Sequence, residues 1–322
     1  MSRVTWGVAG AHARCTPGPT LWGMRGGVRV MLSQIVQNAV SGVAIGLLYG
    51  LIGLGVVLFF QTTNLINFAH ISSAMLGAYL FYTFYVLLHQ RFVTSLVVAV
   101  LMVALYGALL KRFVYNPLLK RQGGRLEFII ATLMLSVFLL NAVIVLWGGI
   151  PLPFPPVFGD PTKPLILGDI VIQYHSLWVL GFVGLFVIAL QLFFTKTITG
   201  KSLRAVAQNP RAARLMGVDV DKMLRLSFML STGITALAGI LLAPTYFVSL
   251  DLGGGIIGIK GFASAVIAGL KKPYLALLGG VMIGLAENFV VLYFSSTYRD
   301  VITFFLLILF LVVRRQPEEA GR

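Results

Sequence analysis

Long stretches without a charged residue recur along this chain, and they constrain its fold more than any other feature. Segments of roughly 20 apolar residues with few or no charges are the length that a helix needs to cross a bilayer. The pattern predicts an all-α, polytopic integral membrane protein with about eight or nine membrane segments. The predicted segments are residues 36–60, 71–88, 92–110, 128–147, 177–194, 226–248, 256–270, 275–293 and 301–313.

The composition agrees with this class and excludes others. Hydrophobic residues make up 58% of the chain and charged residues only 11%, whereas about a quarter of the residues in a soluble domain are charged. A formal net charge of +15 would suggest nucleic acid as the partner of a soluble protein. Here the basic residues lie in loops, so membrane orientation explains them and no nucleic acid is expected. The single cysteine, Cys15, excludes a disulfide framework and a cysteine metal cluster.

The distribution of Lys and Arg between the loops predicts which side each loop faces. Residues 111–125 hold five basic residues and no acid, and residues 196–225 hold seven basic residues and two acids. The proline-rich segment 148–176 holds one lysine and two aspartates. Because cytoplasmic loops carry the excess of Lys and Arg, we place the two basic loops in the cytoplasm and the proline-rich loop outside.

Residues 1–30 differ from the rest of the sequence. They contain four arginines, six glycines and no acid. Counting back through the predicted spans puts residue 31 outside, where four arginines would break the charge rule. Either this segment is a disordered extension, or translation begins at Met31 or Met24. We expect the membrane domain to cover residues 31–315 and a cytoplasmic tail to cover 316–322.

The second basic loop contains the signals of one short helix. Asn209 is a good N-cap residue, Pro210 suits the first helical position, and Gly217 suits the position after the helix end. This helix would lie outside the membrane, on the cytoplasmic side. The pattern favours a docking role for residues 209–217 within the loop 195–225.

The sequence does not support an enzyme. Residues 199–202 end like a phosphate-binding loop, but that motif needs glycine where Thr195 stands, and a strand rather than a membrane helix before it. The four histidines are scattered and no catalytic set is evident. We therefore expect no cofactor bound by this chain and no ATP hydrolysis by it.

Two groups of polar residues fall at membrane depth, where polar side chains need a partner or a cavity. Asn64, Asn67 and His70, with two serines after them, either cap a helix end or belong to a transport path. Glu287 is either a structural partner of Lys260 or a part of transport. The short segments 71–88 and 256–270 hint at an internal repeat.

Several motifs resemble one family in the order in which they occur. Residues 66–70 read I-N-F-A-H and residues 75–79 read M-L-G-A-Y. Residues 204–210 read R-A-V-A-Q-N-P and residues 212–219 read A-A-R-L-M-G-V-D. Together these motifs resemble the LivH-type permease, the membrane subunit of branched-chain amino acid ABC importers, and the resemblance extends over residues 31–315.

This resemblance implies a multi-pass permease in the bacterial inner membrane that imports branched-chain amino acids or related small amino acids and amides. It implies a second permease subunit, two cytoplasmic ATP-binding subunits that use the ATP, and an extracytoplasmic substrate-binding protein. It also implies that the ATPase is coupled through a short loop segment, whose residues here are Asn209, Pro210, Arg211, Ala212, Ala213, Gly217 and Asp219. If the polar residues at membrane depth belong to transport, the path residues would be Asn64, Asn67, His70 and Glu287.

The sequence departs from the family pattern at two positions. Ile71 stands where the family usually has glycine after the histidine, which favours an altered rate or substrate range. Arg211 stands where the generic coupling segment has glutamate, so a particular salt bridge to the ATPase is not expected. An ion-coupled secondary transporter stays open as the alternative. That class would show paired intramembrane acids, and only Glu287 qualifies.

Overall fold

A computed structural model describes residues 21–120, 124–154, 165–167, 170–270 and 272–313. Eight helices in this part of the chain are long and apolar enough to cross a membrane. The α-helices are α1 (Leu21–Thr63), α2 (Ser72–Tyr82), α3 (Phe92–Leu110), α4 (Asn116–Lys120), α5 (Arg125–Trp147), α6 (Tyr174–Lys196), α7 (Ile198–Gln208), α8 (Pro210–Leu215), α9 (Val220–Tyr246), α10 (Ile256–Ile267), α11 (Pro273–Tyr293) and α12 (Arg299–Val313).

The all-α, polytopic prediction is confirmed, with two local differences. The predicted span 71–88 consists of α2 and a π-helical turn, Thr83–Leu87, and it is too short to count among the eight. The proline-rich loop contains a small antiparallel hairpin of β1 (Leu165–Leu167) and β2 (Ile170–Ile172). Helices dominate because a chain in hydrocarbon must satisfy its backbone groups internally.

The N-terminal part of the chain differs from the expected disordered extension. Helix α1 begins at Leu21, so residues 21–30 are helical. Residues 1–20 and the tail 316–322 lie outside the described residues. The later translation start stays a prediction.

Helices α1 and α11 pack with their backbones in contact. A Cβ atom added at Gly46 would lie 2.6 Å from the carbonyl oxygen of Gly280, and one at Gly42 would lie 3.0 Å from that of Gly284. Small residues at such positions let membrane helices approach closely and gain dispersion contacts that lipid cannot replace. This antiparallel pair forms one wall of the core.

The internal repeat suggested by the sequence is present and inverted. Helix α1 packs against α10 and α11, and helix α9 packs in turn against α2 and α3. Helices α1 and α9 run antiparallel, because Tyr49 bonds Tyr246 at 2.8 Å while Thr62 bonds Ser227 at 2.8 Å. The units α1–α3 and α9–α11 therefore have opposite orientations, an arrangement that places transport sites at the repeat interface in many transporters.

Two helices contribute little to the core of this chain. Only 11% of the apolar window of α5 and 6% of that of α12 are buried, compared with 83% of that of α9. Exposed side chains on them include Val145 and Val313. Apolar faces of this kind suit lipid or another membrane subunit.

Candidate functional site

The first unit of the repeat is broken where the sequence placed its polar cluster. Asn64 directly follows α1, and its backbone lies in the left-handed region with φ of 55°. Its N–H donates to the carbonyl oxygen of Phe60 at 2.7 Å. A short 3₁₀ helix, Phe68–His70, then leads into α2. Residues 64–71, which we call break 1, therefore lack a continuous α-helix. In a membrane protein such a segment is tolerated where protein or a cavity covers it.

The two central polar residues of break 1 are both buried, with different surroundings. His70 is hydrogen-bonded through Nε2 to Thr235 Oγ1 at 2.8 Å. Asn67 is 4% exposed, and neither its Nδ2 nor its Oδ1 has a hydrogen-bond partner among the described residues. Asn67 stands at the N-cap position of the 3₁₀ helix but makes no capping bond. The capping interpretation is therefore wrong for this side chain.

Helix α5 contributes two polar side chains that the sequence analysis missed. Thr132 Oγ1 accepts a hydrogen bond from the backbone N–H of Phe68 at 3.4 Å, and the Ser136 hydroxyl bonds that of Ser72 at 2.8 Å. These residues are four apart, so they share one face of α5. Two polar residues four positions apart in a mostly apolar helix were the sequence signal that could have indicated this polar face. Helix α5 thus faces break 1 with its polar stripe.

The second unit is broken at the equivalent place. Phe247 follows α9 with φ of 59°, and a 3₁₀ helix, Leu250–Leu252, precedes α10. We call residues 247–255 break 2. The Ser72 hydroxyl donates to the carbonyl oxygen of Gly253 at 3.5 Å, and the rings of Phe68 and Phe262 lie 5.8 Å apart. Break 1 therefore packs against α10, the helix that follows break 2. Break 2 packs against α2, the helix that follows break 1. Both contacts lie near the centre of the repeat.

A cavity of about 870 Å³ opens beside break 1. It lies between the ends of α1 and α6, the helices α7 and α8, and the start of α11. Asn64 lines it, together with Thr63, Thr195, Arg204, Gln208 and Tyr274. The cavity thus connects break 1 with the basic loop.

Glu287 belongs to a separate cluster. Its Oε1 lies 2.7 Å from Lys260 Nζ, and Lys260 also pairs with Asp300 Oδ1 at 2.8 Å. Thr303 and Tyr49 donate hydrogen bonds to the same carboxylate. Pairing of Glu287 with Lys260 is confirmed. Among its described contacts none comes from break 1, so the structure does not bring Glu287 together with Asn64, Asn67 and His70.

The basic loop contains two helices rather than the single one expected. Helix α7 precedes α8, and the Thr197 hydroxyl caps its start by accepting from the N–H of Gly200 at 3.0 Å. Leu203 and Val206 are buried on one face of α7. The run of basic residues hid this amphipathic helix in the sequence. The prediction of a single helix in this loop is therefore wrong, because the loop contains both α7 and α8.

Helix α8 starts as predicted. Asn209 Oδ1 accepts hydrogen bonds from the backbone N–H groups of Arg211 and Ala212, both at 3.0 Å. Pro210 occupies the first helical turn, where its missing N–H has no cost. The Asn209 side chain therefore caps the start of α8.

Helix α8 also ends as predicted. Gly217 has φ of 81°, and its N–H donates to the carbonyl oxygen of Arg214 at 3.1 Å. The N–H of Val218 donates to the carbonyl oxygen of Ala213 at 3.0 Å. These two bonds form a Schellman motif, in which glycine takes the left-handed position.

The outer face of α8 is apolar as well as basic. Leu215 is 88% exposed and Met216 is 84% exposed, while Ala213 packs inward against Val206 and Val220. Large apolar side chains exposed next to charged ones commonly mark a surface that contacts another protein. Here they extend from a helix whose two ends are both fixed.

Two aspartates lie where this loop meets α9. Asp219 caps α9 by accepting from the N–H of Lys222 at 3.1 Å, and this bond lowers the pKa of the Asp219 carboxyl. Asp221 pairs with Lys111, whose side chain is buried at the end of α3. The start of α9 is therefore joined to the end of α3.

The close approach of break 1 to α10 gives a test of the packing around the breaks. Ile71 lies against Gly258, where an added Cβ would overlap the Ile71 Cγ2 methyl. We expect Gly258→Ala to cost about 1–3 kcal/mol of stability through overpacking. In an Ile71→Gly background the same change should cost little. Thermal unfolding of the four purified variants in detergent measures this. An equal cost of Gly258→Ala in both backgrounds would disprove the contact.

Comparison with known proteins places the chain among transport proteins. Residues 38–311 match the sequence family described as the permease component of the branched-chain amino acid transport system. The "High-affinity branched-chain amino acid transport system permease protein LivH" of Salmonella typhimurium is 30% identical over 294 residues, covering 86% of this chain and 93% of that one. No solved structure matches the chain.

Two further relatives agree. The "High-affinity branched-chain amino acid transport system permease protein BraD" of Pseudomonas aeruginosa is 31% identical over 293 residues, covering 87% of this chain and 94% of its own. The "Probable branched-chain amino acid transport permease protein LivH" of Methanocaldococcus jannaschii is 31% identical over 253 residues, covering 77% of this chain and 78% of its own.

Proposed function

The chain belongs to the family of branched-chain amino acid transport permeases, and from this we propose that it is the membrane-spanning subunit of an ATP-driven importer. The substrates would be branched-chain amino acids or related small amino acids and amides. Its partners would be a second permease, two cytoplasmic ATPase subunits and an extracytoplasmic binding protein. The ATP would be bound and hydrolysed by the cytoplasmic partner subunits, and the permease itself would lie in the inner membrane of a bacterial cell.

Helix α8 is the observation that carries the proposal. It lies between two membrane spans in a basic loop, its ends are fixed by Asn209 and Gly217, and it exposes Leu215 and Met216. A short rigid helix with a mixed apolar and basic face suits a groove on a soluble partner. Its connection to α9 and α3 through Asp221 and Lys111 gives a route for movement into the membrane domain.

The transport path would pass break 1. Asn64 lines the cavity on the side of the basic loop, and Asn67 and His70 lie deeper in the membrane domain. Neutral polar groups make weak sites, which suit a path because a tight site would trap the substrate. Selection among branched side chains would then rest mainly on the binding protein, since one methylene discriminates by only about 1–3 kcal/mol.

The state of Glu287 favours this proposal over an ion-coupled transporter. A coupling site needs an acid that can bind and release an ion or a proton. The Glu287 carboxylate is 1% exposed and is already paired with Lys260. The pairing supports a structural role for Glu287 in this chain.

Substitution of Gly217 tests the docking role of α8. Gly217→Val should weaken co-purification of the ATPase and lower uptake, because a β-branched residue is strained at φ of 81° and displaces the end of α8. Among the residues that the structure describes, no atom lies within 4 Å of a Cβ at this position, so the effect is conformational rather than steric. Gly217→Asn is the matched control, since asparagine tolerates the left-handed region.

The two variants should differ when their membrane levels are equal. We expect Gly217→Asn to retain ATPase and uptake, and Gly217→Val to lose both while staying inserted. Wild-type ATPase recovery and wild-type uptake in Gly217→Val would refute the docking role.

A further inference from the structure

We propose that Ser249, in break 2, is a second contact point for the polar groups of the transported amino acid, on the extracytoplasmic side. Ser249 and Asn67 would be reached alternately from opposite sides of the membrane. The inference rests on the proposed transport function. It adds a residue that the sequence motifs did not indicate, together with the side from which it is reached.

Ser249 and Asn67 share one condition at equivalent positions. Each is 4% exposed, and the Ser249 hydroxyl, like both polar atoms of the Asn67 side chain, has no hydrogen-bond partner among the described residues. A buried polar group without a partner destabilises a protein by about 1–3 kcal/mol. Two such groups at equivalent breaks suggest that both obtain a partner during the transport cycle.

The inverted repeat makes the two positions equivalent. Asn67 follows a left-handed residue, Asn64, and directly precedes a 3₁₀ helix. Ser249 follows a left-handed residue, Phe247, and directly precedes the other 3₁₀ helix. Since the units have opposite orientations, break 1 follows the cytoplasmic end of α1 and break 2 follows the extracytoplasmic end of α9, given that the basic loops face the cytoplasm.

The structure is open at one break and covered at the other. The cavity of about 870 Å³ reaches Asn64 from the side of the basic loop. At break 2 the backbone of Leu152, in the outer loop, exchanges two hydrogen bonds of 3.0 Å with Val248. This short bridge lies next to Ser249. The cavity therefore opens toward the basic loop at Asn64, whereas the bridge lies on the outer side, next to Ser249.

The chemistry of Ser249 fits an amino acid zwitterion. A hydroxyl can accept a hydrogen bond from an ammonium group and donate one to a carboxylate. Because the side chain is neutral, it would hold the zwitterion weakly, as Asn67 would on the other side. An inorganic ion would need a set of several charged or carbonyl ligands, whereas Ser249 supplies one hydroxyl.

Cysteine labelling tests the alternation. Ser249→Cys and Asn67→Cys would each be made in a Cys15→Ser background, since Cys15 is the single cysteine of the chain. The assembled importer would be treated with a membrane-impermeant thiol reagent from either side, with and without a non-hydrolysable ATP analogue. Ser73→Cys is the matched control. Ser73 is fully buried and has no hydrogen-bond partner within the segments that the structure describes, but it lies inside α2 rather than in a break.

The expected result is reciprocal. The analogue should raise outside labelling of Ser249→Cys and lower inside labelling of Asn67→Cys, each by about tenfold or more, which corresponds to a population shift of about 1.4 kcal/mol. Ser73→Cys should stay unreactive. Constant labelling of Ser249→Cys, or none in any condition, would overturn the inference. If the labelling were reciprocal but depended on an ion gradient and not on ATP, the role of Ser249 would be supported. The ATP-driven function would then be refuted.

A second measurement covers the role of the hydroxyl itself. Ser249→Ala should lower uptake by about threefold to tenfold, as expected for the loss of one hydrogen bond. Ser73→Ala should leave uptake unchanged. Equal uptake in Ser249→Ala and the parent at equal membrane levels would show that the hydroxyl does not contact the substrate.

Discussion

Replacement of Glu287 by leucine should destabilise the protein by about 3–5 kcal/mol, because it removes one partner of a buried ion pair. Lys260 is 3% exposed at its side chain and would keep only Asp300, whose side chain is 41% exposed. Tyr49 and Thr303 would lose the acceptor of their hydrogen bonds. Thermal unfolding of the detergent-purified protein measures the change.

The double variant Glu287→Leu with Lys260→Met separates pairing from packing. Exchange of both partners for apolar residues of similar size is often neutral or stabilising, so the double variant should recover most of the loss. Asp300→Asn serves as the control and should cost little, since water reaches that side chain. If the double variant were as unstable as the sum of its two single variants, the pair would not be the source of the effect.

Asn67→Leu should make the protein more stable and a poorer transporter. The buried amide has no hydrogen-bond partner in the described part of the chain, so its replacement by a side chain of similar size should raise stability by about 1–3 kcal/mol. Uptake should fall about tenfold or more if the amide contacts the passing zwitterion, while the ATPase still co-purifies. A rise in stability together with a fall in uptake is expected when a residue serves function at the expense of stability.

Asn141→Leu is the matched control for this trade-off. Asn141 is exposed on α5 and bonds the carbonyl oxygen of Val137 in its own helix at 2.8 Å. Its replacement should change neither quantity appreciably. A drop in the stability of Asn67→Leu would mean that Asn67 has a structural partner, and unchanged uptake would place the path elsewhere.

The sequence was sufficient wherever the signal is local. Uncharged stretches set the number and type of the spans, because a bilayer imposes both length and composition. The ends of α8 followed from Asn209, Pro210 and Gly217, each of which acts within a few residues of its own position. The partner of Glu287 could be proposed because Lys260 was the complementary charge in a neighbouring segment.

The rest depends on contacts between distant residues. Thr132 meets Phe68 across 64 positions, and Thr235 meets His70 across 165 positions. No periodicity in either segment reports such a meeting. Ser249 has no motif of its own, and its equivalence to Asn67 appears only once α1 and α9 are seen to be antiparallel. Helix α7 was missed because its buried Leu203 and Val206 stand among basic residues.

Uptake by the reconstituted importer tests whether transport through this chain is driven by ATP. The permease would be placed in liposomes with its second permease and ATPase subunits, and the binding protein loaded with radiolabelled leucine would be added outside. We expect uptake to require ATP inside the liposomes and to fall to background with a catalytically inactive ATPase. Leucine uptake by this chain without ATP or ATPase, driven by an ion gradient alone, would contradict it.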